Sequence, residues 1–220
     1  MDAHVRHERL DETALSRDQG FWNIYRGSFP ACEQEPEAVI ATSVRLKTGM
    51  AFRSVLSGAT IAMATTHLLR RAPAVFLVYL AVDAGQKGRG TGGNLLEFIH
   101  ADARLSAPGG LGLVWETERP EDAGDESERT VRERRLAFFQ RHGAVVAARD
   151  YRQPALDGVA PVPMNLLFRP AEPGSSLEPA HIQALIRAIY FEKYGELNGI
   201  STRHLEDLLA GVQTPRSPGE

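Results

Sequence analysis

Residues 74–99 read AVFLVYLAVDAGQKGRGTGGNLLEFI, and this stretch narrows the fold more than any other. It opens with an apolar run rich in β-branched and aromatic residues. The run is too short for a typical globular helix, and its lack of polar alternation predicts a central strand buried on both faces. Five glycines follow between positions 82 and 96. Leu95, Leu96, Phe98 and Ile99 then recur at helical spacing. A strand entering a glycine-rich loop and then a helix aims backbone N–H groups, and the positive end of the helix dipole, at one point. Glycine allows positive φ and close backbone approach there, and Lys87 and Arg89 add formal charge. The expected ligand carries a phosphate or pyrophosphate.

Three ligand classes fit such a loop. A nucleoside triphosphate requires Gly-Lys-Ser/Thr, which does not occur. A dinucleotide places its first glycine at the strand end and an acid about 20 residues later. Gly88, Gly90 and Gly93 do spell G-x-G-x-x-G, but five residues separate Val82 from Gly88, and the stretch near position 108 is Pro-Gly-Gly. A nicotinamide-dependent oxidoreductase is therefore disfavoured. The pyrophosphate of coenzyme A requires the same nest of amides and meets no such contradiction.

The rest of the chain supplies elements for a mixed α/β domain. Residues 1–20 are charged and aperiodic and read as a loose arm. Trp22, Tyr25 and Phe29 mark a helix that Pro30 stops, and residues 35–46 form a second helix ending at Gly49. AFRSVLSGATIAMATTHLL reads as a hairpin turning at Ser57-Gly58. LGLVWETE is a strand that runs into an acidic loop. SERTVRERRLAFFQRHG is a helix with Ser127 as N-cap and Gly143 at its end. AVVAARDY and PMNLLFR are two further strands. The expected division is a loose arm over 1–20, a domain over 21–170, and a linker with two helices over 171–220.

Composition removes other classes. Net charge is −3, and only Lys47, Lys87 and Lys193 accompany the many arginines. Acidic residues match the basic ones in number, so no nucleic-acid partner is expected. The N-terminal segment has no apolar signal core, and the apolar run over 72–82 is too short to span a bilayer. A cytoplasmic protein without membrane contact is expected. The seven histidines lack ligand spacing and there is one cysteine, so no metal site is expected. Cys32 reads as a small buried filler.

With these elements in place, AVDAGQKGRGTGGNLL resembles the acyl-CoA loop of the GNAT superfamily of N-acyltransferases. That family's pattern is Arg or Gln, two residues, Gly, one residue, then Gly or Ala. Gly90 and Gly92 take the glycine positions, and Lys87 stands where Arg or Gln is usual. The resemblance extends over residues 20–168, where LAFFQRHGA resembles the family's next-helix ending. It implies a GNAT-like mixed sheet with a C-terminal helical extension. It also implies that the loop strand splays from its neighbour, so that the backbone of Leu80, Ala81 and Val82 serves the pantetheine and thioester. Lys87, Gly88, Arg89, Gly90, Thr91, Gly92 and Gly93 would hold the pyrophosphate, with no room for side chains at Gly90 and Gly92. The implied reaction moves an acetyl group from acetyl-CoA to the amine of a small molecule.

The sequence departs from the family at one chemically important position. Many relatives carry a proton-donating tyrosine where this chain has Phe139, and a phenyl ring donates no proton. Tyr151, a water, or departure of an unprotonated thiolate are the alternatives. For the base, VWETE at period two puts Val114, Glu116 and Glu118 on one strand face. Two carboxylates there can raise each other's pKa and accept the amine's proton directly or through water. They read also as an attractor for a cationic acceptor, or as a solvated strand end. Tyr190, Phe191 and Tyr194 read as core, with an acceptor-pocket lining as the alternative, and Arg129, Arg132, Arg134 and Arg135 as a solvated helix face, with contact to an adenosine phosphate as the alternative. A CoA-binding module without catalysis is the alternative function, and a homodimer is compatible with the sequence.

Overall fold

The computed structural model describes residues 4–156 and 160–212. Seven strands form one sheet: β1 (Arg6–Leu10), β2 (Gly49–Leu56), β3 (Ala59–Leu69), β4 (Ala74–Val82), β5 (Gly112–Glu118), β6 (Val145–Gln153) and β7 (Val162–Pro170). Their order across the sheet is β1-β2-β3-β4-β5-β7-β6. Only β4 and β5 are parallel; every other neighbouring pair is antiparallel. The hairpin between β2 and β3 turns at Ser57 and Gly58, whose φ values of 51° and 84° match the right-handed twist of the flanking strands.

Helices cover both faces. On one lie α4 (Thr91–Ser106) and α5 (Glu126–Arg141), packing Leu95, Ile99 and Phe139 on Leu77 and Trp115. The other face is divided. Over one half lie α1 (Glu12–Arg17), α2 (Gln19–Ser28) and α3 (Glu37–Arg45), where Phe21 and Tyr25 meet Met63 and Tyr79. Over the other half lie α6 (Pro179–Ala188), a π-helical segment (Ile189–Leu197) and α7 (Thr202–Ala210). There Leu185, Tyr190 and Leu205 pack with Phe76, Val114, Tyr151 and Phe168. Val78 on β4 touches both groups.

The mixed fold, the central position of β4 and the C-terminal helices match the sequence reading. Two boundaries do not. Within the expected loose arm, residues 6–10 pair along the edge of β2, and Leu10 and Leu15 are buried. Asp11 caps α1 by accepting from the Ala14 amide at 2.7 Å. A five-residue edge strand is too short to show periodicity, and its pairing partner lies far along the chain. Residues 1–3 lie outside the described residues. The C-terminal helices are no separate appendage, because they form part of the main core; residues 213–220 lie outside the described residues. Two smaller expectations also change. Asp125, not Ser127, caps α5, accepting from the Glu128 amide at 2.8 Å. Cys32 is exposed. Among the described residues, no helix is long and apolar enough to cross a membrane.

Candidate active site

The sheet opens where β4 meets β5. Their parallel pairing consists of Val75 with Leu113 and Phe76 with Val114, and goes no further. At the same level the register of β4 against β3 slips. Tyr79 faces Thr65 and Leu77 faces Thr66, which leaves Val78 as an extra residue. Such a bulge bends the strand and increases its twist. It also reverses the side-chain alternation: Val75 and Leu77 point to the α4 and α5 side, whereas Tyr79 and Ala81 point to the α2 side. Beyond the bulge, the edge of β4 that faces β5 carries peptide groups with no strand partner. Leu80, Ala81 and Val82 lie on this stretch. Buried peptide groups require partners, so the opening is a ready receptor for an extended chain bearing amides.

The glycine loop closes the wide end of this opening. The Asp83 amide still bonds to the Ile61 carbonyl at 2.9 Å, and the Asp83 carboxylate accepts from the Gly85 amide at 2.9 Å. Gly88 and Gly90 adopt φ of 77° and 79°, a conformation that favours glycine. Gly90 is the N-cap of α4 and brings no side chain to it. The amides of Thr91, Gly92 and Gly93 therefore lack intrahelical acceptors and sit at the positive end of the helix dipole. Lys87 and Arg89 are exposed, and neither forms an ion pair among the described residues.

The loop glycines differ in what the protein around them demands. A Cβ at Gly90 meets nothing within 4 Å, so its constraint is conformational. Close packing falls on Gly92, whose Cβ would lie 3.2 Å from Val82 Cγ2, and on Gly93, whose Cβ would lie 2.6 Å from the His142 ring.

Glu116 and Glu118 share a face of β5 but occupy different environments. Glu116 lies two residues past the last β4–β5 pair, on the side of the C-terminal helices. Its Oε1 accepts from the Tyr151 hydroxyl. Its Oε2 accepts from Gln153 Nε2 at 2.7 Å and from the Tyr194 hydroxyl at 2.8 Å. Burial raises its pKa to about 7, against the lowering effect of these bonds and of Lys193 nearby. The expected mutual repulsion of the two glutamates is not the cause. Glu118 is instead paired with Arg135 of α5. It also helps raise the pKa of Glu33, whose main cause is burial, across the mouth of the opening.

Phe139 is buried against Trp115, with ring centroids 5.0 Å apart. Tyr151, one alternative acid, is fully buried and gives its hydroxyl to Glu116. Burial and the adjacent carboxylate hold its pKa well above the ordinary phenol value. The sequence reading missed the polar group around it. Lys193 forms an ion pair with Glu35 in which both side chains are almost sealed from water. Tyr194 and Gln153 bond to Glu116, and also to each other at 3.0 Å. One signal was present: Lys193 is one of three lysines in an arginine-rich chain.

No family model matches the sequence, and no curated protein matches it. Solved structures do. A protein assigned to the GNAT family of acetyltransferases, from Bacteroides thetaiotaomicron, superposes with a TM-score of 0.68 at 19% identity, over 86% of this chain and 98% of its own. An aminoglycoside 6'-N-acetyltransferase complexed with coenzyme A gives 0.59 at 13%, over 78% and 99%. A GNAT-like decarboxylase, GphF, in complex with isobutyryl-CoA gives 0.57 at 19%, over 76% and 100%. The chain has the GNAT fold.

Proposed function

We propose that this protein transfers an acyl group, acetyl in the simplest case, from acyl-CoA to the amine of a small molecule. The observation that carries this reading is the opening between β4 and β5, which leads directly into the glycine loop at the start of α4. The unpaired edge of β4 suits the pantetheine amides, and the first-turn amides with Lys87 and Arg89 suit the pyrophosphate. The two structures named with coenzyme A or an acyl-CoA share this fold. The decarboxylase among them shows that fold alone does not decide chemistry, so the side chains must.

Glu116 is the proposed base. Its pKa of about 7 lets it hold a proton or release one at neutral pH, which is the condition for efficient proton transfer. In the proposed reaction the acceptor's ammonium group gives one proton to Glu116, directly or through a water. The free nitrogen attacks the thioester carbonyl, forming the C–N bond. Backbone N–H groups of β4 past the bulge stabilise the oxyanion. The C–S bond then breaks, and the thiolate takes the second proton from the attacking nitrogen, directly or relayed through a water. Glu118, already paired with Arg135, is better suited to shaping the field at the mouth than to carrying protons.

Phe139 favours one other reading, a CoA-binding module without turnover. Calorimetric titration with coenzyme A, together with thiol release from acetyl-CoA in the presence of polyamines, amino sugars and amino acids, tests both. The transferase reading requires a measurable CoA Kd and amine-dependent thiol release abolished by Glu116→Gln. Binding without release under every amine selects the module, and absence of CoA binding rejects both.

A further inference from the structure

The π-helical segment Ile189–Leu197 belongs to the C-terminal extension, yet its polar side chains reach four separate parts of the rest of the domain. Glu192 accepts from the Arg70 and Arg71 amides of the β3–β4 turn, both at 2.8 Å. Lys193 pairs with Glu35 in the segment before α3. The Tyr190 hydroxyl donates to the Arg152 carbonyl of β6 at 2.6 Å. Tyr194 donates to Glu116 on β5 at 2.8 Å. Glu192, Lys193 and Tyr194 are consecutive and all buried, at 5%, 1% and 3% exposure. An α-helix would turn three consecutive side chains through more than half a circle. The wider turn of a π-helix keeps them closer together, and such turns are frequent at functional sites.

This segment has no packing need for so many buried polar groups, since its first residue Ile189, with Ile186 of α6 and Leu205 of α7, already belongs to the apolar core against the sheet. What the polar groups achieve is placement. Three points fixed on β6, the β3–β4 turn and the segment before α3 leave the Tyr194 hydroxyl little freedom. It meets the carboxylate oxygen that Gln153 also contacts, and the third side of the triangle is the 3.0 Å bond between Gln153 and Tyr194. Burial and the neighbouring carboxylate raise the pKa of Tyr194 well above the ordinary phenol value, so it remains a donor.

We infer that Tyr194 is a positioning residue for Glu116, through which the C-terminal helices complete the acyl-transfer site. The inference rests on the reading of Glu116 as base. The titratable and charged groups that face Glu116 are Tyr151 on β6, and Tyr190, Lys193 and Tyr194 on the π segment, with Glu35 beyond Lys193. Tyr194 is the one that bonds to Oε2 from outside the β6 strand. Removing its hydroxyl withdraws a bond that favours the ionised carboxylate, while the ring keeps its packing.

The test is a carbon NMR titration of protein labelled at glutamate carboxyl carbons, with the Glu116 signal identified by its loss in Glu116→Gln. The wild-type midpoint is expected near 7, and that of Tyr194→Phe about one pH unit higher, with the acid limb of the thiol-release rate moving by the same amount. An unchanged midpoint in folded Tyr194→Phe overturns the inference and leaves the base reading in place. A rate whose acid limb does not follow the Glu116 midpoint, in wild type or variant, overturns the base reading and with it the catalytic part of the inference. If Tyr194→Phe does not fold, Tyr194→Met carries the same test: it removes the same hydroxyl and fills the space with a flexible apolar side chain, an upward midpoint is expected, and an unchanged one overturns the inference.

Discussion

Lys193 and Glu35, 158 residues apart in the chain, meet as an ion pair with 2% and 3% of their side chains exposed. The pair joins the C-terminal helices to the segment that leads into α3, and so ties together the two groups of helices on one face of the sheet. Burial lowers the pKa of Lys193, and the pull of Glu35 opposes that shift without cancelling it. A pair this dry contributes little net stability, but a lone member of it is costly. Lys193→Met is therefore expected to cost about 3–5 kcal/mol, through the charge it strands on Glu35. The double variant Lys193→Met/Glu35→Gln is expected to recover most of that loss. Urea denaturation of both variants and of Glu35→Gln closes the cycle. A single variant as costly as the double one would show that the contact acts through packing rather than charge.

The loop glycines predict two separable defects. Gly90 has φ of 79° and open space around its Cβ, so a branched residue there strains the cap of α4 without a clash. Gly90→Val is expected to weaken coenzyme A binding about tenfold or more, a loss of about 1.4 kcal/mol, with the fold retained. Gly93 faces His142, whose Nδ1 lies 3.1 Å from the Glu97 carboxylate. Gly93→Ala must push that ring aside and is expected to lower the melting temperature as well as the affinity. Calorimetry and thermal melts distinguish the two. Unchanged coenzyme A affinity in folded Gly90→Val would overturn the role assigned to the loop.

Lys87 and Arg89 are exposed and have no ion-pair partner among the described residues, so their attraction for a phosphate is screened by salt. Alanine at either position is expected to weaken coenzyme A binding severalfold in low salt, and much less near 0.5 M. A loss that persists unchanged in high salt would mean a desolvated, directional contact.

The sequence made the site legible where chemistry is local. The strand, loop and α4 lie within residues 74–106, and Gly88 and Gly90 there adopt a backbone conformation that favours glycine. Period two placed Glu116 and Glu118 on one face because alternation is a local property of a strand. What surrounds Glu116 is not local. Tyr151, Gln153 and Tyr194 come from 35 to 78 residues away, and which of two glutamates they meet depends on how the C-terminal helices dock. The β4 bulge at Val78 left no sign either, since an apolar run buried on both faces hides a change in alternation. The edge strand β1 was missed because five residues of mixed polarity acquire strand character only from their partner β2.

Phe139 sits with its ring 5.0 Å from that of Trp115 and has 7% of its surface exposed. Its contribution is packing, so Phe139→Leu is expected to cost about 1–2 kcal/mol of stability and to leave the thiol-release rate within about threefold. Phe139→Tyr is expected to leave that rate unchanged, or to raise it where the new hydroxyl reaches the departing sulfur. A large rate loss for Phe139→Leu at preserved stability would show that the ring positions the acyl donor.

The pKa of Glu116 makes the stability of the fold depend on pH in a defined direction. Its value is about 7 in the folded protein, against 4.5 for an ordinary glutamate, and burial is the main cause. The folded chain thus holds this proton more tightly than the unfolded chain. The stabilisation that protonation provides is complete below about pH 4.5 and is lost as pH rises through about 7. Across that window it amounts to an effect on the order of 3 kcal/mol. Asp18 and Glu97 have lowered pKa values, through hydrogen bonds and their arginine partners, and work in the opposite sense at more acidic pH. The comparison must therefore be between wild type and Glu116→Gln, in which those groups are common to both. The variant keeps an uncharged side chain of the same shape amid the same three donors. It is expected to match wild type near pH 5 and to exceed it in unfolding free energy at pH 8, with the difference growing mainly between pH 5 and 7. Urea titrations at half-unit pH steps measure this difference. A constant difference across the range would place the ionisation of Glu116 at its ordinary value, and would remove the basis for assigning it the proton of the amine.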